Sequence, residues 1–348
     1  MTSIETPTGA PSVPMAHPPL GAADFKTDQE VRWCPGCGDH AILAALQSFL
    51  PTLGIPRENF VVVSGIGCSS RLPYYLNTYG IHSIHGRAPA IATGIAISRS
   101  DLSVWVVTGD GDALSIGGNH LIHALRRNVN LKILLFNNRI YGLTKGQCSP
   151  TSGSGKVTKS TPDGSVDTPF NPISLALGAE ATFVARTVDS DRRHLTAILA
   201  AATAHRGAAF VEIYQNCPMF NDAAYAPLKD PANRDDWTIR LEDGQPIIFG
   251  AALDRAVVRD PATGDLGIGP ADDPHVVVHT ASADNAAHAF ALSRLAASDL
   301  RHTPIGVFRM VRRPTYDDLL RSQIRPAEAD RSGHLQRLLL GDDTWTIP

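Results

Sequence analysis

This sequence lacks the features that mark membrane-spanning, secreted and nucleic-acid-binding proteins. No apolar run approaches the ~18 residues that a transmembrane helix needs. Its 31 basic and 34 acidic residues give a net charge of −3, so charge offers no argument for binding nucleic acid or an anionic membrane. Residues 1–23 have neither the basic start nor the apolar segment of a secretory signal. We therefore expect a cytoplasmic protein.

Cysteine is also scarce, with five residues in the chain, and without an export signal we expect no disulfides. Cys34 and Cys37 form a Cys-Pro-Gly-Cys turn, and Cys68 and Cys217 each lie beside a predicted strand end. Four thiols at one edge of a sheet suit tetrahedral Zn²⁺ or a [4Fe–4S] cluster. A Cys-x-x-Cys alone also fits a redox dithiol, so the cysteines by themselves leave these alternatives open.

The 348 residues and 43% hydrophobic content are ordinary for a globular protein of about two domains. Apolar strands alternate with helices up to about residue 217, which predicts an α/β fold with a doubly wound, mostly parallel sheet. The predicted strands are 60–63, 103–108, 131–136, 181–184 and 209–214, and the predicted helices are 41–50, 88–97, 116–127 and 194–204. We expect a flexible tail at 1–24, a main domain at 25–222 and a smaller extension at 223–348.

That extension carries no chemical motif, and we expect it to pack on the sheet or on a partner. Its predicted elements are a short strand at 246–249, a helix at 283–297 and a strand at 305–308. The stretch 151–172 is dense in Ser, Thr, Gly and Pro and predicts a long loop, which in a compact chain is usually functional or disordered.

Polar residues follow two of the predicted strands. Gly109-Asp110-Gly111 comes after one strand, and Asn137-Asn138 ends the next. Ligands of parallel sheets bind beyond the carboxyl ends of the strands, so Asp110 and Asn138 are expected to converge there. Their oxygens are suitable ligands for an Mg²⁺ ion that also binds phosphate oxygens. The glycines allow the backbone to approach a diphosphate closely, and the N-terminus of the next helix adds a favourable dipole.

A Gly-Asp-Gly alone also fits a plain tight turn. With the asparagine pair at this spacing, the pattern resembles the thiamine diphosphate signature. That cofactor favours a cluster over zinc, because a [4Fe–4S] cluster accepts single electrons whereas zinc has no redox chemistry.

Several further motifs follow one another in the expected order between about residues 28 and 222. They are Trp-Cys-Pro-Gly-Cys-Gly (33–38), Gly-Ile-Gly-Cys-Ser (65–69), His-Gly-Arg-Ala (85–88), Gly-Asp-Gly-Asp-Ala-Leu (109–114), Gly-Gly-Asn-His (117–120), Tyr-Gly-Leu-Thr-Lys-Gly-Gln (141–147) and Cys217. Together they resemble the β subunits of 2-oxoacid:ferredoxin oxidoreductases, most closely those of the 2-oxoglutarate type (2-oxoglutarate synthase).

The resemblance implies a [4Fe–4S] cluster on Cys34, Cys37, Cys68 and Cys217. It implies Mg²⁺ on Asp110, Asn138 and the carbonyl of Ile140. The implied cofactor-binding residues for thiamine diphosphate are Gly67, Ser69, Gly109, Asp110, Gly111, Asp112, Asn138, Ile140, Gly142 and Leu143.

The resemblance also implies catalytic roles for four side chains. Arg71 would meet the 2-oxoacid carboxylate, Lys145 would interact with coenzyme A, and His85 and Arg87 would lie near the reacting centre. The alternatives are an ordinary exposed lysine for Lys145 and a structural ion pair for Arg71. His82 fits a packed loop residue as well as a site residue, and His120 and His123 are expected to be structural. Cys148 is expected to be a bystander thiol. It would be the alternative ligand if one of the four assigned cysteines were wrong.

The implied reaction is oxidative decarboxylation of 2-oxoglutarate with coenzyme A, with electrons passed singly to ferredoxin. No glutamate lies in a context suited to activating the aminopyrimidine, so we expect an α subunit to supply that half in an α₂β₂ complex. The rival hypotheses are a non-oxidative thiamine diphosphate decarboxylase or synthase and a zinc-stabilised α/β binding protein. A dinucleotide-binding oxidoreductase is the weakest, because its glycine-rich fingerprint is absent.

Overall fold

The computed structural model of the chain describes residues 13–329 and 335–347. Up to the sixth strand its elements are α1 (Asp39–Phe49), β1 (Phe60–Ser64), α2 (Leu72–Tyr75), β2 (Tyr79–His82), α3 (Ala88–Ser98), β3 (Ser103–Gly109), α4 (Asp110–Leu114), α5 (Gly118–Arg126), β4 (Lys132–Asn137), α6 (Pro172–Gly178), β5 (Phe183–Val188), α7 (Arg192–Ala204) and β6 (Ala209–Tyr214).

The chain continues with shorter elements that include α8 (Arg234–Trp237), β7 (Thr238–Leu241), β8 (Ile248–Phe249), β9 (Arg255–Arg259), β10 (Leu266–Pro270), α9 (Ala287–Ser293), β11 (Thr303–Met310), α10 (Tyr316–Ala329) and α11 (Leu335–Leu340). Short 3₁₀ helices cover Ala22–Phe25, Leu50–Leu53, Arg57–Asn59, Ser69–Arg71 and Ala226–Leu228.

Eight strands form one sheet in the order β2-β1-β3-β4-β6-β5-β11-β7. Pairing is parallel from β2 to β5, whereas β11 runs antiparallel to β5 and parallel to β7. Strands β8, β9 and β10 form a small antiparallel sheet. The predicted doubly wound, mostly parallel α/β fold is confirmed.

Both faces of the inner strands of the large sheet are buried, which explains why strands such as β1 and β4 are largely apolar, whereas the edge strand β2 is exposed. In β1, Val61 and Val63 pack with α3, α5 and α6, whereas Phe60 and Val62 pack on the other face with α1 and α7. Successive side chains of a strand point to opposite faces, so a strand covered on both sides needs an apolar residue at every position.

The structure differs from the sequence prediction mainly after residue 222. The predicted strand 305–308 extends over Thr303–Met310, and β7, which the pattern did not reveal, pairs beside it in the large sheet. The predicted helix 283–297 is shortened to Ala287–Ser293, and the predicted strand 246–249 to Ile248–Phe249. Residues 255–270 form the β9–β10 hairpin, which their Asp, Gly and Pro content concealed.

Of the predicted tail at 1–24, residues 1–12 lie outside the described part of the chain. Val13 is buried, and the Ala16 amide donates to the carbonyl of Gly54. All five cysteines are free thiols. Within the described residues, no helix has the length and apolar character to cross a membrane. The boundary at 222 stays a prediction.

Candidate cofactor and metal site

The turn after β3 buries a carboxylate at the edge of the sheet. Asp110 opens α4, and its Oδ2 accepts hydrogen bonds from Ser149 Oγ at 2.5 Å and Thr151 Oγ1 at 2.6 Å. Burial raises the pKa of Asp110 to about 6, although both hydroxyls act in the opposite direction. Neither hydroxyl bonds to Oδ1. A buried carboxylate of this kind is stabilised in its ionised form by a nearby positive charge such as a metal ion.

The next strand, β4, ends at a turn that carries the other two predicted metal ligands, Asn138 and Ile140. Asn138 Oδ1 accepts a hydrogen bond of 3.1 Å from the amide of Ile140, and Arg139 between them has a φ of 57°. Because β3 and β4 are parallel neighbours, with Gly109 opposite Phe136, the two turns lie side by side. Asp110 and Asn138 both line the cavity between them, as predicted from the topology.

This cofactor cavity has a volume of about 490 Å³, a usual size for a small-molecule site. It is lined by all ten predicted cofactor residues, by His85, and by Asp39, Ile66, Cys68, Phe136, Tyr141, Thr144, Gln147 and Gln215. A Cβ added to Gly111 would lie 2.1 Å from the ring of Tyr141, whose hydroxyl donates to the Gly111 carbonyl at 3.0 Å. A glycine is therefore required at that position of the Gly-Asp-Gly turn.

Asp112 lines the cofactor cavity, and its carboxylate accepts hydrogen bonds from three separate segments of the chain. Oδ1 accepts from the amides of Ile66 and Gly86 at 3.0 and 2.7 Å, and Oδ2 accepts from Thr108 at 2.6 Å. Oδ1 also lies 2.7 Å from Nδ1 of His85. A carboxylate only accepts, so Nδ1 carries the proton, and Nε2 is the ring nitrogen left for a ligand.

The four predicted metal-binding cysteines line a second cavity of about 230 Å³. Its wall also contains three basic residues: Arg32, Arg71 and Lys145. The thiol cavity and the cofactor cavity share Cys68, Asn138, Gly142 and Leu143. A Cβ on Gly142 would lie 3.4 Å from Sγ of Cys68 and 3.7 Å from Sγ of Cys217. The two cavities are thus neighbours separated by a thin wall.

Hydrogen bonds join the three segments that carry these thiols. Trp33, next to Cys34, donates from Nε1 to the carbonyl of Cys68 at 2.7 Å. The amide of Gly38, next to Cys37, donates to the carbonyl of Asn216 at 3.0 Å. The arrangement of the thiol cavity therefore does not depend on a bound metal alone.

Two of these thiols, Cys37 and Cys68, have raised pKa values. Burial, followed by the negative charge of Asp39, raises the pKa of Cys68 to about 12, and Arg71 acts in the opposite direction. The same two causes raise the pKa of Cys37 further. Thiolates in such surroundings need the positive charge of a metal. Within the described residues, no three His, Cys, Asp or Glu side chains come close enough together to hold a single metal ion.

Several predicted site residues lie away from the cofactor cavity. Arg71 and Lys145 line the thiol cavity instead, and Arg71 Nη1 donates to the carbonyl of Arg32 at 3.3 Å. Arg87 lines neither cavity and donates to the carbonyl of His85 at 2.9 Å. The roles assigned to these residues by resemblance stay predictions.

The other residues weighed from the sequence have local contacts. His82 stacks on Tyr74 with ring centroids 4.2 Å apart, and its Nδ1 lies 3.0 Å from the hydroxyl of Ser64. Cys148 lies outside the thiol cavity, and its Sγ is 3.5 Å from the hydroxyl of Thr161. His120 and His123 lie on α5 and line neither cavity.

Sequence reasoning missed Ser149, Thr151, Asp39 and Gln215. Asp39 is the first residue of α1, and both of its buried carboxylate oxygens lack a hydrogen-bond partner within the described residues. Burial raises the pKa of Asp39 to about 7. Gln215 donates from Nε2 to Sγ of Cys37 at 3.1 Å. The only sequence signal for these missed residues was the pair of hydroxyl side chains, Ser149 and Thr151, on either side of Pro150 at the start of the long loop.

Residues 65–213 match the family model of the thiamine pyrophosphate enzyme, C-terminal TPP binding domain. The fold and the cofactor cavity therefore define a thiamine-diphosphate-binding domain. The chain is 60% identical over 344 residues to the 2-oxoglutarate oxidoreductase subunit KorB of Mycobacterium tuberculosis, covering 96% of this chain and 91% of that protein. It belongs to the family of 2-oxoacid:ferredoxin oxidoreductase β subunits, of the 2-oxoglutarate type, as predicted.

Relatives with lower sequence identity support the same family assignment. The 2-oxoglutarate synthase subunit KorB of Archaeoglobus fulgidus is 42% identical over 224 residues, which cover 63% of this chain and 82% of that protein. A structure of 2-oxoglutarate:ferredoxin oxidoreductase from Magnetococcus marinus, with 2-oxoglutarate, coenzyme A and succinyl-CoA bound, superimposes with a TM-score of 0.74 at 32% identity. That similarity covers 94% of this chain and 98% of the other.

Proposed function

We propose that this chain is the β subunit of an enzyme that converts 2-oxoglutarate and coenzyme A to succinyl-CoA and CO₂ and passes the electrons to ferredoxin. The observation that carries the proposal is the adjacency of the two cavities. One is lined by the diphosphate motif and the other by four thiols, and Cys68, Asn138, Gly142 and Leu143 belong to both. An organic cofactor and an electron acceptor would therefore lie next to each other, as one-electron transfer requires.

The cofactor cavity would hold thiamine diphosphate with Mg²⁺. Asp110, Asn138 and the carbonyl of Ile140 form a set of hard oxygen ligands, which Mg²⁺ prefers. The buried carboxylate of Asp110, whose pKa is raised to about 6, fits a site that gains a cation. When bound, thiamine diphosphate supplies a nucleophilic carbon and an electron sink for decarboxylation. His85, oriented by Asp112, would offer Nε2 to the substrate or cofactor.

The thiol cavity would hold a [4Fe–4S] cluster on Cys34, Cys37, Cys68 and Cys217. Four thiols line a cavity of about 230 Å³ beside the cofactor cavity, and a one-electron acceptor at that place favours a cluster over zinc, which has no redox chemistry. Arg32, Arg71 and Lys145 would offset the negative charge of thiolates and cluster. The cluster supplies one-electron acceptance.

Arg71 and Lys145 would also bind the anionic substrates. Both are basic and line the cavity next to the cofactor, and a guanidinium pairs with a carboxylate through two parallel hydrogen bonds. We assign Arg71 to the 2-oxoacid and Lys145 to coenzyme A, with Arg87 holding the His85 loop through its bond to the His85 carbonyl.

An α subunit would complete the active site. None of the described residues that line the cofactor cavity is a glutamate, so the group that activates the aminopyrimidine must come from elsewhere. The cavity also has an apolar rim: Ile66, Ile84, Ile116 and Leu143 are 46%, 75%, 53% and 43% exposed. Ile84 precedes His85, and Ile116 lies against Gly86. Exposed isoleucines around a cofactor site are typical of a surface covered by another chain.

Anaerobic purification with the α subunit tests this function. We expect a brown complex with about four irons per β chain, which consumes 2-oxoglutarate only when coenzyme A and ferredoxin are present. The isolated β chain is expected to be inactive. A colourless complex containing zinc would contradict the cluster, and CO₂ release without reduction of ferredoxin would indicate a non-oxidative decarboxylase.

A further inference from the structure

Behind the metal-binding turn, four side chains form a stack that no sequence motif marks. The guanidinium of Arg139 lies 5.1 Å from the ring centroid of Tyr225. The rings of Tyr225 and Tyr214 are stacked, with centroids 4.2 Å apart and ring planes nearly parallel at 14°. Arg186 lies 5.0 Å from the Tyr214 centroid on the other side. A cation over each outer ring face is a favourable electrostatic arrangement, strengthened by burial. We call these four residues the arginine–tyrosine stack.

A series of polar contacts runs from this stack to the proposed magnesium ligand. Arg186 Nε donates to Glu212 Oε2, and Asn137 Nδ2 donates to Glu212 Oε1, each at 2.7 Å. The hydroxyl of Thr151 lies 2.9 Å from Asn137 Oδ1 and 2.6 Å from Asp110 Oδ2. Both oxygens are acceptors and the hydroxyl has one proton, so the shorter contact favours donation to Asp110. All five residues are buried. The carboxylate of Asp110 is thus connected to β5 through β6, β4 and the start of the long loop.

The backbone of the turn is attached to the same stack. Arg139 adopts a φ of 57°, a left-handed conformation that L residues adopt only at a cost. Its amide donates to Asn137 Oδ1 at 3.1 Å, and its carbonyl accepts from Ser152 Oγ at 2.7 Å. Arg139 lies between Asn138 and Ile140, so the residue inserted in the stack is the centre of the turn that presents two of the three proposed ligands.

We propose that Arg139, Tyr225 and Glu212 are positioning residues that hold Asn138, Ile140 and Asp110 in the geometry for Mg²⁺ and diphosphate before the cofactor binds. The proposal rests on the proposed function of this site. Mg²⁺ requires near-octahedral coordination, so displacement of a ligand by a fraction of an ångström weakens binding. Residues that orient ligands without touching the metal typically contribute 10–100-fold to metal affinity.

The cation over the Tyr214 ring is itself fixed in place. The guanidinium of Arg186 forms a buried ion pair of 2.7 Å with Glu212 and lies 5.0 Å from the Tyr214 ring centroid. Glu212 therefore joins the arginine–tyrosine stack to Asn137, the residue that precedes the proposed ligand Asn138.

Tyr225 offers a matched pair of variants. Its buried hydroxyl has no hydrogen-bond partner among the described residues, so Tyr225→Phe keeps the stacked ring and removes an unused polar group. Tyr225→Leu removes the ring and leaves every charge in place. Arg139→Gly removes the guanidinium and at the same time relieves the positive φ. Leu253→Gly, at an exposed residue with a φ of 53°, controls for glycine substitution at such a conformation.

The experiment measures the affinity of the cofactor-depleted αβ complex for Mg²⁺ at saturating thiamine diphosphate, together with iron content. For Arg139→Gly and Tyr225→Leu we expect the Mg²⁺ dissociation constant to rise about 10–100-fold with unchanged iron, and Tyr225→Phe and Leu253→Gly to bind as wild type. Added Mg²⁺ should restore cofactor occupancy in both weakened variants, which a misfolded protein would not allow.

Wild-type affinity in both Arg139→Gly and Tyr225→Leu would overturn the positioning role. Equal weakening in Tyr225→Phe would also contradict it, because that variant keeps the stack. If the wild-type complex itself bound neither Mg²⁺ nor thiamine diphosphate, the proposed function would fail instead, so the two failures are distinguishable. Glu212→Gln serves as the third variant and is read only if its iron content matches wild type.

Discussion

The hydroxyl of Thr151 donates a hydrogen bond of 2.6 Å to the carboxylate of Asp110. This bond connects the long loop after β4 with the turn after β3, and Ser149 in the same loop repeats it on the same oxygen. The loop that the sequence leaves without a function therefore orients the side chain on which the proposed metal site depends.

Replacing Thr151 by Val removes the hydroxyl and keeps the shape of the side chain. We expect a loss of about 1–2 kcal/mol in the free energy of unfolding and a Mg²⁺ affinity lowered by about 10-fold, because Asp110 loses one of its two orienting donors. Thr196→Val on α7, whose hydroxyl donates to the backbone of the same helix, is the matched control. Unchanged Mg²⁺ titration of Thr151→Val would refute the orienting role.

Asp110→Ala is expected to abolish binding of Mg²⁺ and thiamine diphosphate, because it removes the proposed carboxylate ligand. Asp112 cannot replace it, since its carboxylate is already bonded to Ile66, Gly86, Thr108 and His85. Iron content should stay at the wild-type level, since Asp110 does not line the thiol cavity. Calorimetric titration and iron analysis of the αβ complex measure both quantities. Asp101→Ala, which removes an exposed carboxylate bonded to Arg99, serves as control. Normal cofactor occupancy in Asp110→Ala would show that the ligand is misassigned.

We expect the cysteines to separate into four cluster ligands and one bystander, Cys148. We expect Cys68→Ser to lose most of the visible absorbance and iron, because Cys68 lies in the wall common to both cavities. Cys148→Ser should keep both, since Cys148 lies outside the thiol cavity. Absorbance spectra of anaerobically purified complexes decide the matter, and a colourless Cys148→Ser protein would mean that the ligand set is wrong.

A buried lysine far from the cofactor predicts a pH effect on stability. Lys132 donates to the carbonyl of His205 at 2.7 Å, and burial lowers its pKa to about 7 from an ordinary 10.5. Between these pH values the unfolded chain binds a proton that the folded protein releases, so stability rises with pH by up to about 1.4 kcal/mol per unit. Below pH 7 both states are protonated and the dependence ends.

Lys132→Met removes this titration. Chemical unfolding of wild type and variant at pH 7, 8 and 9 should therefore show the stability of the wild type rising relative to Lys132→Met. The thiols and tyrosines titrate equally in both proteins, so their contributions cancel in the difference between the two free energies of unfolding. Parallel pH profiles for the two proteins would contradict the lowered pKa.

Much of the site was predictable because its residues follow strand ends. Gly109–Gly111 and Asn137–Asn138 come at the ends of two apolar strands, and parallel pairing of β3 and β4 brings such ends together without further information. All ten residues that the family resemblance implies for the cofactor line one cavity. Arg71 and Lys145 were harder, because their positions depend on loop paths, and both line the neighbouring thiol cavity instead.

The sequence by itself determined the alternation of strands and helices, the types of ligand and the family, since each depends on local order along the chain. Only the tertiary structure decided that Ser149 and Thr151 orient Asp110 and that Arg139, Tyr225, Tyr214 and Arg186 stack behind the turn. Only the fold revealed that β7 and β11 complete the sheet beyond residue 222. Hydrogen bonds and ring contacts between residues distant in sequence can be predicted only when the conformation of every intervening loop is known. No local sequence pattern determines that conformation.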